Sequence, residues 1–171
     1  MRADFDLGAL HNALDAKRTA EDLSWAGVAR AINSRFDAMP ATRAVSASTI
    51  SGVGRRSTAE GDGVLQMLLW LDRTPESFVP GHPLADAPEA RLAAAPPDSI
   101  LRFDRVALHT AMDKARSALD VSWQEIAVEV GCTPGQLTSL ASSGRVVFPM
   151  VMRLTGWLEA PAARFTRPSP W

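Results

Sequence analysis

Apolar residues are spaced three and four positions apart along most of the chain, and this spacing lines one face of a helix. The pattern is clearest between Trp25 and Ile32 and again between Val64 and Leu71. No stretch alternates between apolar and polar residues over the length of a strand, although residues 145–148 are compatible with an extended segment. The pattern therefore predicts an all-α protein.

The helical pattern occurs twice because the chain contains an internal repeat. Thirteen of the 28 residues at positions 5–32 are identical to the residues 98 positions further on. Later in the chain the offset is 87, at which Trp70 aligns with Trp157. The difference between the two offsets means that the earlier stretch carries 11 extra residues, an inserted loop at about residues 34–44. We call the two stretches the first copy and the second copy, residues 5–78 and 103–165.

Two copies of this length are consistent with two small domains. We predict a first domain at residues 1–80 and a second at residues 99–168. Residues 81–98 between them are rich in proline and alanine, which is typical of a semi-rigid linker, although the alanines near Arg91 also fit one helical turn. The last residues, ending in Trp171, fit either a loose tail or an anchor for a partner.

The helix-start signals are repeated as well. Asp6 is a favourable N-cap residue, and Phe5 and Leu10 flank it as a hydrophobic staple. Further N-cap residues open the second and third helices of the two copies: Ser24 and Ser122, then Ser46 and Thr133. A fourth helix, and a short last helix after Thr74 or Pro161, complete a prediction of five short helices in each copy.

Helices 2 and 3 of the second copy have the spacing of a helix-turn-helix unit. Ala127 is small at the point where the two helices would cross, and Gly131, four residues later, supplies the positive φ of a tight turn. Residues 123–142 thus resemble a helix-turn-helix unit, and each copy resembles the lambda-repressor/Cro type of domain, the XRE family. The resemblance implies two tandem five-helix lambda-repressor-like domains, whose third helices enter the major groove of double-stranded DNA.

The resemblance also implies which residues contact DNA, because the first residues of the third helix and those at the start of the second helix face the groove in this family. The candidates in the first copy are Arg43, Ser46, Ala47, Ser48, Thr49, Ser51, Arg55 and Arg56. The candidates in the second copy are Thr133, Gln136, Ser139, Ser142, Ser143 and Arg145. Serine and threonine can bond base edges or phosphates, glutamine can pair with adenine, and arginine suits phosphates or a narrow minor groove.

The implied function is a sequence-specific DNA-binding transcriptional regulator. Because the two third helices differ, one chain would contact two unlike half-sites, which predicts a non-palindromic operator. The alternative is a protein–protein interaction module that has kept the fold and lost DNA binding. The inserted loop and the Pro134-Gly135 start of the last recognition helix favour that alternative.

Charge leaves both hypotheses open. The 171 residues carry 18 Lys and Arg against 19 Asp and Glu, so no overall positive field attracts nucleic acid. The first 98 residues are acidic, with 10 basic and 13 acidic side chains, which favours a protein partner. Residues 38–59 and 130–158, however, contain arginines and no acid, as a surface facing phosphates requires.

Other chemistry has little support in the sequence. His11 with Asp15, repeated as His109 with Asp113, favours helix packing or a surface hydrogen bond over a catalytic or metal-binding pair. The tryptophans recur at helical spacing, so core packing is favoured over base stacking. Cys132 is the single cysteine, which fits a buried thiol better than a redox switch.

No nucleotide-binding, P-loop or metalloprotease motif occurs, so we expect no enzymatic activity, cofactor or metal. No apolar run approaches the length of a membrane span, and the first residues lack the apolar core of a secretory signal. We therefore expect a cytoplasmic protein, associated with the nucleoid if it binds DNA. A homodimer or another protein partner is compatible with the sequence.

Overall fold

In the computed structural model, residues 3–34, 45–97, 99–142 and 146–170 are described, and they are mostly helical. The helices of the first copy are α1 (Leu7–Ala20), α2 (Trp25–Asn33), α3 (Ala47–Ser51) and α4 (Gly61–Leu71). Those of the second copy are α5 (Arg105–Leu119), α6 (Trp123–Val130), α7 (Pro134–Thr138) and α8 (Phe148–Trp157). The short last helices of the two copies are 3-10 turns, Pro75–Phe78 and Ala162–Phe165. Two further 3-10 turns are Val53–Arg55 and Pro88–Ala90.

Five of these helices begin at the N-cap residues that the sequence predicts. Asp6 accepts a hydrogen bond from the backbone N–H of Ala9 at the start of α1, at 2.8 Å. Each of the other predicted N-cap residues also accepts a hydrogen bond from its own helix: Ser24, Ser46, Ser122 and Thr133. The capping signals therefore confirm the starts of five helices. No helix within the described part of the chain is long and apolar enough to cross a membrane.

The prediction of an all-α protein is wrong, because the structure also contains a two-stranded antiparallel sheet. Strand β1 (Ser99–Phe103) pairs with strand β2 (Thr166–Pro170), and Phe103 lies opposite Thr166. β1 is buried at four of its five positions, so it shows no alternation, and β2 contains two prolines, which sheets tolerate at an edge. The pattern rule for strands therefore could not detect either of them.

The two copies use equivalent residues in equivalent ways. Arg18 binds Asp15 at 2.6 Å and lies 4.9 Å from the ring centroid of Trp25. The imidazole of His11 lies 5.4 Å from that same indole. The second copy repeats every one of these contacts with His109, Asp113, Arg116 and Trp123. The recurring histidine, aspartate and tryptophan thus hold the first helix of each copy against the second.

The copies meet through self-complementary contacts. The N–H of Gly61 donates to the carbonyl of Val146 at 2.7 Å, and the N–H of Phe148 donates to the carbonyl of Ala59 at 2.9 Å. Because Gly61 aligns with Phe148 and Ala59 aligns with Val146 at an offset of 87 residues, the two hydrogen bonds are equivalent. Helices α4 and α8, which are equivalent, also contact each other. Such reciprocity defines a twofold interface, which here lies within one chain.

One aromatic ring fills the centre of this interface. Phe148 is fully buried, and its ring centroid lies 4.7 Å from that of Phe5 and 5.4 Å from that of Phe103. Its equivalent in the first copy is Gly61, where an added Cβ would lie 3.0 Å from both the Phe103 ring and the Val146 carbonyl. A second side chain therefore does not fit at this point.

The hydrophobic core runs through both copies without a break. Ala90, between the copies, is fully buried, and Leu92 and Ala95 pack against the same core. The structure does not show two separate domains, and the boundaries at residues 80 and 99 stay a prediction.

Candidate nucleic-acid interface

The helix-turn-helix of the second copy, residues 123–142, is compact. Gly131 ends α6 with φ +71°, the left-handed conformation that the tight turn requires. Thr133 then caps α7, and Leu137 is fully buried beneath it. The predicted roles of Gly131 and Thr133 in this turn are confirmed.

The first copy retains the same arrangement in spite of its insertion. The side chain of Asn33 donates to the carbonyl of Val45 at 2.7 Å and accepts from its N–H at 3.2 Å. One amide side chain therefore joins the two residues on either side of the insertion. Helix α3 follows at once, with Ile50 fully buried as the equivalent of the buried leucine in α7.

The start of α3 presents a cluster of hydroxyl groups. The Oγ of Ser46 lies 3.1 Å from the Oγ of Ser48 and 2.8 Å from the Oγ1 of Thr49. Ser46 and Ser48 are exposed, while Ala47, Thr49 and Ser51 are partly exposed. Hydroxyls can rotate to donate to a phosphate or to a base edge, so this cluster is suited to polar contacts with DNA.

Arg55 and Arg56, which we call the arginine pair, lie just beyond α3. Both are exposed, and neither forms an ion pair with any residue in the described ranges. A Cβ built on Gly52 would lie 3.9 Å from the Nη2 of Arg55 and 4.0 Å from the Nε of Arg56. Two positive groups therefore lie near Gly52 at the end of α3, where both attract an anion.

The two helix-turn-helix segments differ in charge. Residues 25–59 contain five arginines and one aspartate, a net charge of +4. The equivalent residues 123–146 contain one arginine and two glutamates, a net charge of −1. Exposed Arg30 on α2 contributes to this difference. Sequence reasoning missed it because the candidates were sought at the starts of the second and third helices and beside the third helix, whereas Arg30 lies in the last turn of α2. Its position on the polar face of α2 was a signal that could have found it.

In the second copy the predicted contact residues are engaged with their own backbone. The side-chain carbonyl of Gln136 accepts from the N–H of Thr133 at 2.9 Å, which completes a capping box. Bidentate pairing with adenine uses both ends of a glutamine amide, so Gln136 would have to release its cap first. The hydroxyls of Ser139 and Ser142 donate to the carbonyls of Gly135 and Ser139, at 2.6 and 3.1 Å.

Three predicted contact residues, Arg43, Ser143 and Arg145, lie outside the described residues. The candidates that are described lie in two groups, those of the first copy around α3 and those of the second copy around α7. Each of these helices has five residues, about 7.5 Å of length, so each can present only one turn to a groove.

Large apolar side chains are exposed mainly in the second copy. Val106, Leu119 and Val128 are 59%, 63% and 75% exposed. These residues lie on α5 and α6, the first two helices of the second copy. Val128 occupies the position of Arg30 in the first copy. The second copy is therefore apolar at a point where the first is basic.

The described residues offer no support for a redox switch or a metal site. Cys132 is half-buried, and burial raises the pKa of its thiol although Arg153 nearby opposes the rise. A raised pKa reduces the thiolate fraction that oxidation requires. The described residues contain no group of three histidine, cysteine or acidic side chains that could hold a metal ion.

Comparison of the chain with protein-family models, with curated proteins and with solved structures gives no match.

Proposed function

We propose that the protein is a sequence-specific DNA-binding regulator without a catalytic step, and that the first copy makes the principal contact with double-stranded DNA. The observation that carries the proposal is the arginine pair, two exposed and unpaired guanidinium groups at the end of α3. Guanidinium groups in this position suit backbone phosphates at one edge of a major groove that receives α3.

The remaining contacts divide into two kinds. Ser46, Ser48 and Thr49 would meet base edges or phosphates from the first turn of α3. Arg30 on α2 would add a phosphate contact beside the groove. The low number of basic side chains predicts modest affinity for random DNA, so recognition depends on the fit of the first copy to its site.

The reciprocal contacts between the copies support an extended site. Helix-turn-helix proteins with twofold symmetry place two recognition helices on successive half-sites. Here α7 is less suited to DNA, because Gln136 is engaged in its capping box and residues 123–146 carry a net charge of −1. We therefore expect one strong and one weak half-site and a non-palindromic operator. A cytoplasmic location beside the chromosome follows from the same proposal.

A protein partner for the second copy is the other candidate function. Exposed Val128 on α6 favours it, because this position faces solvent and carries no charge. It does not conflict with DNA binding by the first copy.

A selection from random duplex DNA, followed by titration at about 50 and 200 mM salt, tests the proposal. We expect one sequence to be enriched and its affinity to fall as salt rises, because phosphate contacts release counterions. Failure to bind any duplex at the lower salt would exclude the DNA proposal and leave the protein-partner hypothesis. A perfectly palindromic site would contradict the unequal roles of the two copies.

A further inference from the structure

A cavity of about 220 Å³ lies where the two copies join, beside the sheet. We call it the junction cavity. Its wall includes Asp62 at the start of α4, Arg102 of β1, Asp104 and Arg105 at the start of α5, and Arg167 of β2. It thus combines side chains from the first copy, the second copy and both strands. None of these residues was a candidate in the sequence.

The charges in the junction cavity do not balance. The Oδ2 of Asp62 lies 3.4 Å from the Nη1 of Arg102, and the Oδ2 of Asp104 lies 3.4 Å from the Nε of Arg167. These two ion pairs leave the guanidinium of Arg105 without an ion-pair partner among the described residues. The wall of the cavity therefore carries three arginines against two aspartates.

Both carboxylates are already bound elsewhere, and Arg105 acts on Asp62 only at longer range: burial raises the pKa of Asp62, and the charge of Arg105 opposes that rise. The other oxygen of Asp62 accepts from the backbone N–H of Phe103 at 3.1 Å, and that of Asp104 accepts from Ala107 at 2.9 Å, as the N-cap of α5. Each carboxylate thus has one oxygen on the backbone and the other on an arginine. Moving either of them to Arg105 would break a contact that the fold uses.

Arg105 also has an unsatisfied donor. Its Nη1 is buried and has no hydrogen-bond partner within the described part of the structure. A buried donor left without an acceptor is costly, and more so when it carries charge. An oxyanion beside this guanidinium supplies negative charge and further acceptors, and the planar guanidinium fork matches its geometry.

We propose that the junction cavity binds a small oxyanion of the phosphate class, with Arg105 as its principal ligand. The cavity is large enough for one phosphate group and is walled by charged side chains. Because its wall contains residues of both copies, a bound phosphate would stabilise the contact between them. The site does not depend on the proposed contact of the arginine pair with DNA.

Thermal unfolding in potassium phosphate and in potassium chloride of equal ionic strength tests the site. We expect the midpoint of the wild-type protein to rise with phosphate and to saturate at millimolar concentration. Phosphate also stabilises proteins generally through exclusion from their surface, so the decisive quantity is the difference between variants. Arg105→Gln should lose the saturable rise, and Arg164→Gln, a change at an exposed arginine outside the cavity, should retain it.

Two results would overturn the proposal: a wild-type protein with no saturable rise, or an Arg105→Gln variant that keeps it in full. Circular dichroism establishes whether Arg105→Gln folds. If it does not, Arg105→Lys, which keeps the charge and loses the fork, is compared with wild type by phosphorus-31 line broadening. Broadening that saturates for wild type and weakens at least tenfold for the lysine variant supports the site, and equal broadening excludes it.

A phosphate in this cavity has two sources, a free anion or the DNA backbone. Titration of the Arg105→Gln variant with DNA separates them. If DNA supplies the phosphate, the salt dependence of binding should fall by about one counterion. If the anion is free, the salt dependence should stay unchanged while the thermal effect of phosphate is lost. A protein that binds no DNA leaves the thermal test valid.

Discussion

Residues 25–59 and 123–146 carry net charges of +4 and −1, although their described parts form equivalent pairs of helices in the same order. In both copies the tryptophan of the second helix contacts a histidine of the first helix, at 5.4 Å between ring centroids in the first copy and 5.3 Å in the second. The identities of the repeat are thus concentrated in residues that hold helices together. The differences lie on the exposed side of the same helices, where Arg30 corresponds to Val128.

We call the residues that hold the helices together the framework and the exposed residues of the helices the surface. The two copies share the framework but not the surface. Fold and function are set by different residues of each copy, as they are for proteins in general. The engaged Gln136 and the unpaired arginine pair show the difference at the level of single groups. The following predictions separate framework from surface, beginning with the framework.

Phe148→Ala should have the largest effect, because its ring joins the two copies. We expect the free energy of unfolding to fall by about 3–5 kcal/mol, from lost burial and a cavity between Phe5 and Phe103. Urea denaturation followed by tryptophan fluorescence measures it. Val147→Ala, at the exposed neighbouring residue, should change little. Separate transitions for the two copies in wild type would show that the framework is not shared.

Replacing both members of the arginine pair by glutamine tests the surface difference directly. DNA affinity should fall about tenfold or more, and the salt dependence should weaken by about two counterions, because two phosphate contacts are lost. Fluorescence anisotropy at several salt concentrations measures both quantities. The matched control is Arg91→Gln with Arg164→Gln, which removes two exposed arginines elsewhere and the same net charge. An equal loss of DNA affinity in the control would mean that net charge, and not the position of the arginine pair, determines binding.

Glu76 marks an asymmetry of the framework, since its equivalent in the second copy is Ala163. It is fully buried at the junction, where one oxygen accepts from the N–H of Ala162 at 2.6 Å and Oε2 has no partner in the described structure. Burial raises the pKa of this carboxyl. The folded protein therefore holds the proton more tightly than the unfolded chain does.

It follows that the contribution of Glu76 to stability is complete below its unfolded pKa and is lost as the pH rises through its folded pKa. Glu76→Gln should remove this dependence and raise stability at neutral pH by about 1 kcal/mol. Urea denaturation of both proteins across the pH range measures the difference. Parallel stability curves for the two proteins would contradict the assignment to Glu76.

Gln136→Ala should have the smallest effect on DNA. Because the Gln136 side chain caps its own helix, we expect a loss of about 0.5–1 kcal/mol in stability. DNA affinity should change less than about twofold, since one bidentate base contact is worth more than that. A loss of affinity comparable to that of the arginine pair would show that α7 reads bases.

Much of the framework could be predicted from the sequence because its signals are local. Asp6, Ser24 and Thr133 act within four residues of their own position, and hydrophobic spacing identifies the helices they open. The sheet could not be predicted in this way, because the pairing of Ser99 with Pro170 joins distant residues that lack alternation.

The candidate site could be located in part for the same reason, and its contact with DNA stays a prediction. The repeat aligns α3 with α7 and so locates the candidate residues, but it cannot show which side chains are already engaged. The capping role of Gln136 and the unpaired state of Arg105 depend on contacts in three dimensions. Arg105 in particular aligns with Leu7, so the repeat gave no reason to consider it.

The reciprocal hydrogen bonds of Gly61 and Phe148 also affect how activity depends on the amount of protein in the cell. A twofold assembly made of separate subunits dissociates on dilution, so its activity depends steeply on how much protein the cell contains. Here both halves are made together in a ratio of one to one, and a covalent chain sets their effective concentration. Occupancy of a target should therefore rise in simple proportion to the number of chains at low abundance. A mutation, moreover, alters one half only, which allows the two surfaces to diverge while the junction between them is kept.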